Sequence, residues 1–103
     1  MPSSSESTDV SFHRLAEREL NEATQYYERE RPGLGSAFLN EVQRCSRSIA
    51  EHPGAGRVIV GQVRRRLLRR FPYGILYAHK ADGLRILAVM NLKRRPAYWV
   101  GRE

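Results

Sequence analysis

The sequence predicts an α+β domain in which a helical hairpin packs on a small, mainly antiparallel sheet, in the order β-α-α-β-β-β. Three observations carry this prediction. Apolar residues recur at helical spacing through two segments of the first half, the period changes from 3.6 to 2 after Gly56, and Gly/Pro-rich breaks separate the segments. The 103 residues allow one domain, expected over 9–103. The small polar start MPSSSEST (1–8) reads as a flexible terminus.

A short strand is expected at Asp9–Phe12. From His13 to about Arg31, Phe12, Ala16, Leu20, Ala23 and Tyr27 trace one stripe of an amphipathic helix, with Glu17, Glu19, Glu22 and Glu28 largely off it. Pro32-Gly33-Leu34-Gly35 breaks that helix, because proline disfavours helix in the residue before it and glycine supplies turn geometry. Ser36 is the expected N-cap of a second helix, Ala37 to about Glu51, striped by Phe38, Val42, Cys45 and Ile49. Cys45 lies within that stripe and reads as a small core residue, not a nucleophile. The short connection makes the pair an antiparallel hairpin.

His52–Gly56 closes the second helix, and Arg57–Val60 is a short strand or a ragged start. Val63–Phe71 reads as a strand with Val63, Leu67 and Phe71 facing one way and Arg64, Arg66 and Arg70 on the exposed face. Pro72-Tyr73-Gly74 interrupts it as a bend, since proline cannot donate to a ladder. Ile75–Lys80 is the next strand, and Ala81-Asp82-Gly83 signals a hairpin. Leu84–Leu92 (LRILAVMNL) is apolar enough to be a central strand buried, at least in part, on both faces.

Composition removes several function classes. The single cysteine excludes an internal disulfide framework and a multi-cysteine zinc site. His13, His52 and His79 fall in different elements without ligand spacing, so no metal and no cofactor is expected. Gly54-Ala55-Gly56 precedes a strand, whereas a phosphate-binding loop opens a helix, and no GxSxG nucleophile motif is present. No apolar run approaches the ~20 residues of a membrane span and no signal-peptide core is visible, so a soluble, cytoplasmic protein is expected.

The net charge is +7, and it is unevenly spread. Residues 1–56 carry 6 Lys/Arg against 9 Asp/Glu, and residues 57–103 carry 12 against 2, a change from −3 to +10. Such a half suits a partner rich in phosphate or carboxylate. Its two acids, Asp82 and Glu103, leave no paired carboxylates for hydrolytic chemistry. An enzyme built from this half would depend on Arg, Lys, Tyr or His, a set that suits RNA cleavage by the ribose 2′-hydroxyl. The closing run NLKRRPAYWVGRE interleaves Lys93, Arg94 and Arg95 with Tyr98 and Trp99. Aromatics there can stack on unpaired bases while cations hold phosphates. Alternatively both rings fold back to cap the sheet, with Arg102 stacked nearby; this is the expectation for Trp99, while Tyr98 suits either role.

Taken in order, AERELNEATQYYE, PGLGSAFLNEV, HPGAGR, VRRRLLRRFPYGILY and ILAVMNLKRRPAYWVGR resemble the RelE/ParE family of type II toxins, often labelled plasmid stabilisation proteins, over about residues 9–103. The resemblance implies the same β-α-α-β-β-β architecture. It also implies a cognate antitoxin, encoded by an adjacent gene, whose C-terminal segment wraps the toxin in a hetero-oligomer. RelE-like members cut mRNA on the ribosome, and ParE-like members act on DNA gyrase. The helical hairpin and Phe71-Pro72-Tyr73 look more like the ParE-like branch, so inhibition of gyrase by binding is the leading expectation. A ribosome-dependent mRNA endonuclease is the second, and a degenerate member that only binds antitoxin is the third. Nuclease candidates by region are Arg64, Arg66, Lys93, Arg94 and Tyr98. Surface candidates for target or antitoxin are Arg64, Arg66, Arg70, Tyr73, Lys93, Arg94, Arg95 and Trp99. Many relatives carry histidine where this chain has Asn91, and asparagine cannot shuttle a proton near neutral pH.

Overall fold

The computed structural model describes residues 9–95 and 97–102; the 1–8 segment expected to be flexible lies outside them. The chain runs β1 (Val10–Phe12), α1 (Arg14–Glu30), α2 (Leu34–Glu51), a single 3-10 turn (Pro53–Ala55), β2 (Arg57–Val60), β3 (Val63–Leu67), β4 (Tyr73–Lys80) and β5 (Gly83–Asn91). The five strands form one sheet in the order β1-β5-β4-β3-β2. Only β1 pairs parallel, against β5; the other neighbours are antiparallel. The expected α+β hairpin-on-sheet architecture is therefore present, with Arg57–Val60 a strand in its own right. No described helix is long and apolar enough to cross a membrane.

Helix α1 starts where His13 Nδ1 accepts from Leu15 N at 3.1 Å. Helix α2 starts two residues before the expected cap. Its N-cap is Gly33, at φ 89°, a left-handed conformation that glycine adopts without strain. The capping acceptor is not Ser36 but Glu28, whose carboxylate takes the amides of Gly33 (3.0 Å) and Gly35 (3.0 Å) from the preceding helix. A carboxylate at a helix N-terminus also meets the positive end of the helix dipole.

The core lies between the hairpin and one face of the sheet. Phe38, Val42 and Ile49 from α2 and Ala16 and Ala23 from α1 pack with Ile75, Tyr77, Leu84, Ile86 and Val89. Cys45 is partly buried against this cluster, as its place in the stripe predicts. Phe38 sits among Tyr27, Phe71 and Tyr73 with ring centroids 5.2, 5.1 and 5.0 Å away.

The opposite face holds a second cluster of Leu76, Ala88, Met90 and Trp99, flanked by Val63 and Tyr98. A bulge joins the two clusters. Leu76 pairs Ala88 while Tyr77 pairs Ile86, which leaves Leu87 as the extra residue on β5. Side-chain parity therefore reverses at Leu87. Leu84 and Ile86 face the helices before it, and Val89 faces them after it. That reversal is why the strand reads as almost continuously apolar.

Candidate binding site

The arginines of β3 do not lie as the period-2 reading placed them. Strand β3 ends at Leu67, and Leu68–Pro72 is a loop, so Phe71 belongs to no alternation with Val63. Arg64 and Arg66 pair with Tyr77 and Ile75, which face the helices. Both arginines thus turn toward the helical layer at the margin of the core, where their long stems can cross apolar surface. Arg64 Nη1 donates to the carbonyls of Gly56 (2.8 Å) and Gly54 (3.1 Å). Arg66 Nη2 donates to Ser48 Oγ at 2.9 Å. The open face instead receives Val63, Arg65 and Leu67, of which Leu67 is 53% exposed.

Arg70 is an exposed residue of the 68–72 loop, its guanidinium carbon 5.6 Å from the centre of the Phe71 ring. Glu41, buried at 4% exposure, organises that loop from α2. Its Oε2 accepts the backbone amides of Arg69 and Arg70, the latter at 3.0 Å. The loop touches the end of β5, since Leu92 N donates to Pro72 O at 2.9 Å and Tyr73 pairs Asn91. Tyr73, Asn91 and the 92–95 turn are brought together this way.

A cleft of about 190 Å³ opens there between α1 and the sheet, lined by Glu19, Tyr26, Tyr73, Asn91 and Arg94 among others. Burial raises the Tyr73 hydroxyl above its ordinary pKa, partly offset by a hydrogen bond from Asn91. Asn91 Oδ1 also accepts from Lys93 N at 2.9 Å, which fixes the turn. Lys93 and Arg95 are exposed, and Arg94 stacks on Tyr98 with its guanidinium carbon 4.2 Å from the ring centre.

The chain's end folds back over the open face. Trp99 is 5% exposed in the second cluster, the packing role expected of it, and this burial removes it from the surface candidates for target or antitoxin. Tyr98 is half-buried. Burial first, and then the neighbouring Glu19 carboxylate, push its hydroxyl pKa upward. Arg102 reaches the edge of β5 beyond the end of β1. There it forms two 3.0 Å contacts with Glu19 and one with Leu87 O, while Glu19 Oε1 also accepts from Val89 N at 3.0 Å. Glu19 and Glu41 were not singled out by sequence reasoning, because both contacts span more than 25 residues. The local signal each leaves is an acid at the edge of an apolar stripe, Glu19 three residues after Ala16 and Glu41 three after Phe38.

The candidates thus divide into two groups: Arg64, Arg66 and Arg70 along β3 and its loop, and Tyr73, Asn91, Lys93, Arg94, Arg95 and Tyr98 at the end of β5. Fold and surfaces together define a small α+β protein with a basic sheet layer under a helical hairpin. The chain belongs to the family of ParE toxins of type II toxin–antitoxin systems (parDE), whose model matches residues 10–96. Among solved structures it is similar to a chain of the chromosomal ParDE TA system from P. aeruginosa, at a TM-score of 0.75 and 20% identity. That match covers 85% of this chain and 99% of the other, and it is a likeness of fold. No curated protein sequence matches at a comparable level.

Proposed function

We propose that this ParE-family chain acts as a toxin that inhibits its target by binding, that the target is DNA gyrase in the cytoplasm, and that a cognate antitoxin neutralises it. The observation that carries the reading is the family match over residues 10–96. The geometry of the cationic candidates weakens the catalytic reading. The guanidinium of Arg64 is engaged by two carbonyls, and that of Arg66 is anchored on Ser48. Burial raises the pKa of the Tyr98 hydroxyl, which moves the tyrosinate a general base would need further from neutral pH. Asn91 serves the Lys93 turn as an acceptor.

Induction of the chain without its antitoxin should cause filamentation and an SOS response. Purified protein should block supercoiling by gyrase. Rapid translation arrest with mRNA cut in ribosomes would instead establish the nuclease reading. Absence of any growth defect, with antitoxin binding intact, would establish a degenerate member.

A further inference from the structure

A cavity of about 170 Å³ lies between α2, β3 and the 68–72 loop, outside the cleft at the end of β5. Arg44, Arg66 and Arg69 line it, together with Glu41 and Cys45. Arg66 is the unusual member. Its Nη2 is bonded to Ser48, but its Nη1 is enclosed and meets no acceptor among the described residues. A buried guanidinium N–H without a partner is costly, and it is relieved by an anion. The cavity's own carboxylate does not fill that role. Glu41 Oε2 is turned to the amides of Arg69 and Arg70, and no ion pair links Glu41 to Arg66 among the described residues.

We infer that this cavity is a socket for one carboxylate, carried on an acidic side chain of the neutralising segment. The inference rests on the antitoxin reading above and goes beyond it by naming the place and the chemistry of one contact. Three guanidiniums against one carboxylate favour an anion. The same Glu41 disfavours a second negative charge, so a carboxylate fits better than a phosphate dianion.

The test begins with the toxin alone. N-acetyl-glutamate amide is titrated against it, with N-acetyl-glutamine amide and inorganic phosphate as comparisons. The readouts are the NMR shifts of the Arg66 Nε–H and the Ser48 and Arg69 amides, and the rate at which iodoacetamide alkylates Cys45, the sole cysteine. Saturable shifts and slowed alkylation with the glutamate compound, and not with the glutamine one, are expected. Arg66→Met should abolish both responses while leaving the melting temperature within a few degrees of the parent, which a purely structural Arg66 would not allow. Should Arg66→Met fold poorly, Ser48→Ala keeps the charge, frees the anchor and should weaken the response.

In the second arm, Arg66→Met should weaken binding of the adjacent gene's product by about tenfold or more, the loss of one charge-assisted hydrogen bond. Equal shifts with both compounds, tighter binding of phosphate than of glutamate, or undiminished responses in Arg66→Met would overturn the socket. If the adjacent gene's product fails to bind even the parent, the antitoxin reading falls by itself, and the first arm still decides the socket.

Discussion

Phe38 shows how much a single side chain can carry in a core of this size. It is fully buried and touches three aromatic rings drawn from α1, the 68–72 loop and β4. Phe38→Ala should cost about 3–5 kcal/mol, a large part of a small domain's stability, read as the midpoint of urea unfolding. A midpoint within a few tenths molar of the parent would mean that α2 buries another face. Tyr98 gives a prediction in pH. Folding raises its pKa above the ordinary 10, so the folded state favours the neutral phenol. The contribution is complete below about pH 10 and is lost as pH rises beyond it, because the native state then holds the extra proton. Stability should therefore fall as pH rises above about 10, and Tyr98→Phe should flatten that fall. An unchanged slope would assign the effect to Tyr27 and Tyr73, whose pKa values burial also raises. At this scale the sequence was partly legible. Cys45 and Trp99 followed from their positions. The facing of Arg64 and Arg66 did not, because an arginine also stands at 65 and Val63 and Leu67 share one face without showing whether it meets the helices.

Among the elements, the hairpin turn depends on contacts that propensity rules do not show. Glu28 closes α1 and opens α2 at once, through the amides of Gly33 and Gly35. Glu28→Ala should lower stability by about 1 kcal/mol, the usual worth of a capping acceptor, whereas Ser36→Ala should be nearly silent. The opposite ranking of the two variants in thermal melts would restore Ser36 as the cap. Gly35 is constrained by space instead. A Cβ there would lie 2.6 Å from Thr24 O and 2.9 Å from Glu28 Cβ, so the helices approach too closely for a side chain. Every element was visible as a period or a break except β2, which read as a strand or a ragged start; the starts of α2 at Leu34 and of β4 at Tyr73, the end of β3 and the parity change on β5 were not. Strand β3 stops at Leu67 because Glu41, from a distant helix, holds the next amides in a loop. The parity change on β5 is caused by an extra residue at Leu87, and an apolar run looks the same with or without a bulge.

Across the whole molecule, topology converts a difference between halves of the chain into a difference between layers. The first half builds both helices and only the short edge strand β1, while the second builds the other four strands and the chain's end. Among the described residues, the acidic first half therefore becomes a helical layer and the basic second half a sheet layer. One cross-strand pair shows that this charge is not arranged for stability. Arg57 on β2 lies directly opposite Arg65 on β3, and like charges in that position are destabilising. Arg57 is exposed on an edge strand whose Val58 and Val60 are 51% and 56% exposed, so the strand offers unpaired backbone and apolar side chains beside the cations. A partner with acidic and apolar residues would answer all three features, with charge acting mainly on the rate of encounter. Arg57→Glu should then move two quantities in opposite directions. It replaces a repulsive pair with an attractive one and should raise stability by about 0.2–1 kcal/mol. It also removes two units of positive potential from the approach surface, so association with the adjacent gene's product should slow and depend less steeply on ionic strength. Stopped-flow binding at low and high salt, beside a thermal melt, measures both. If the variant is more stable and associates as fast as the parent with the same salt slope, the β2 edge is not an approach surface, and its charge must serve another contact of the toxin.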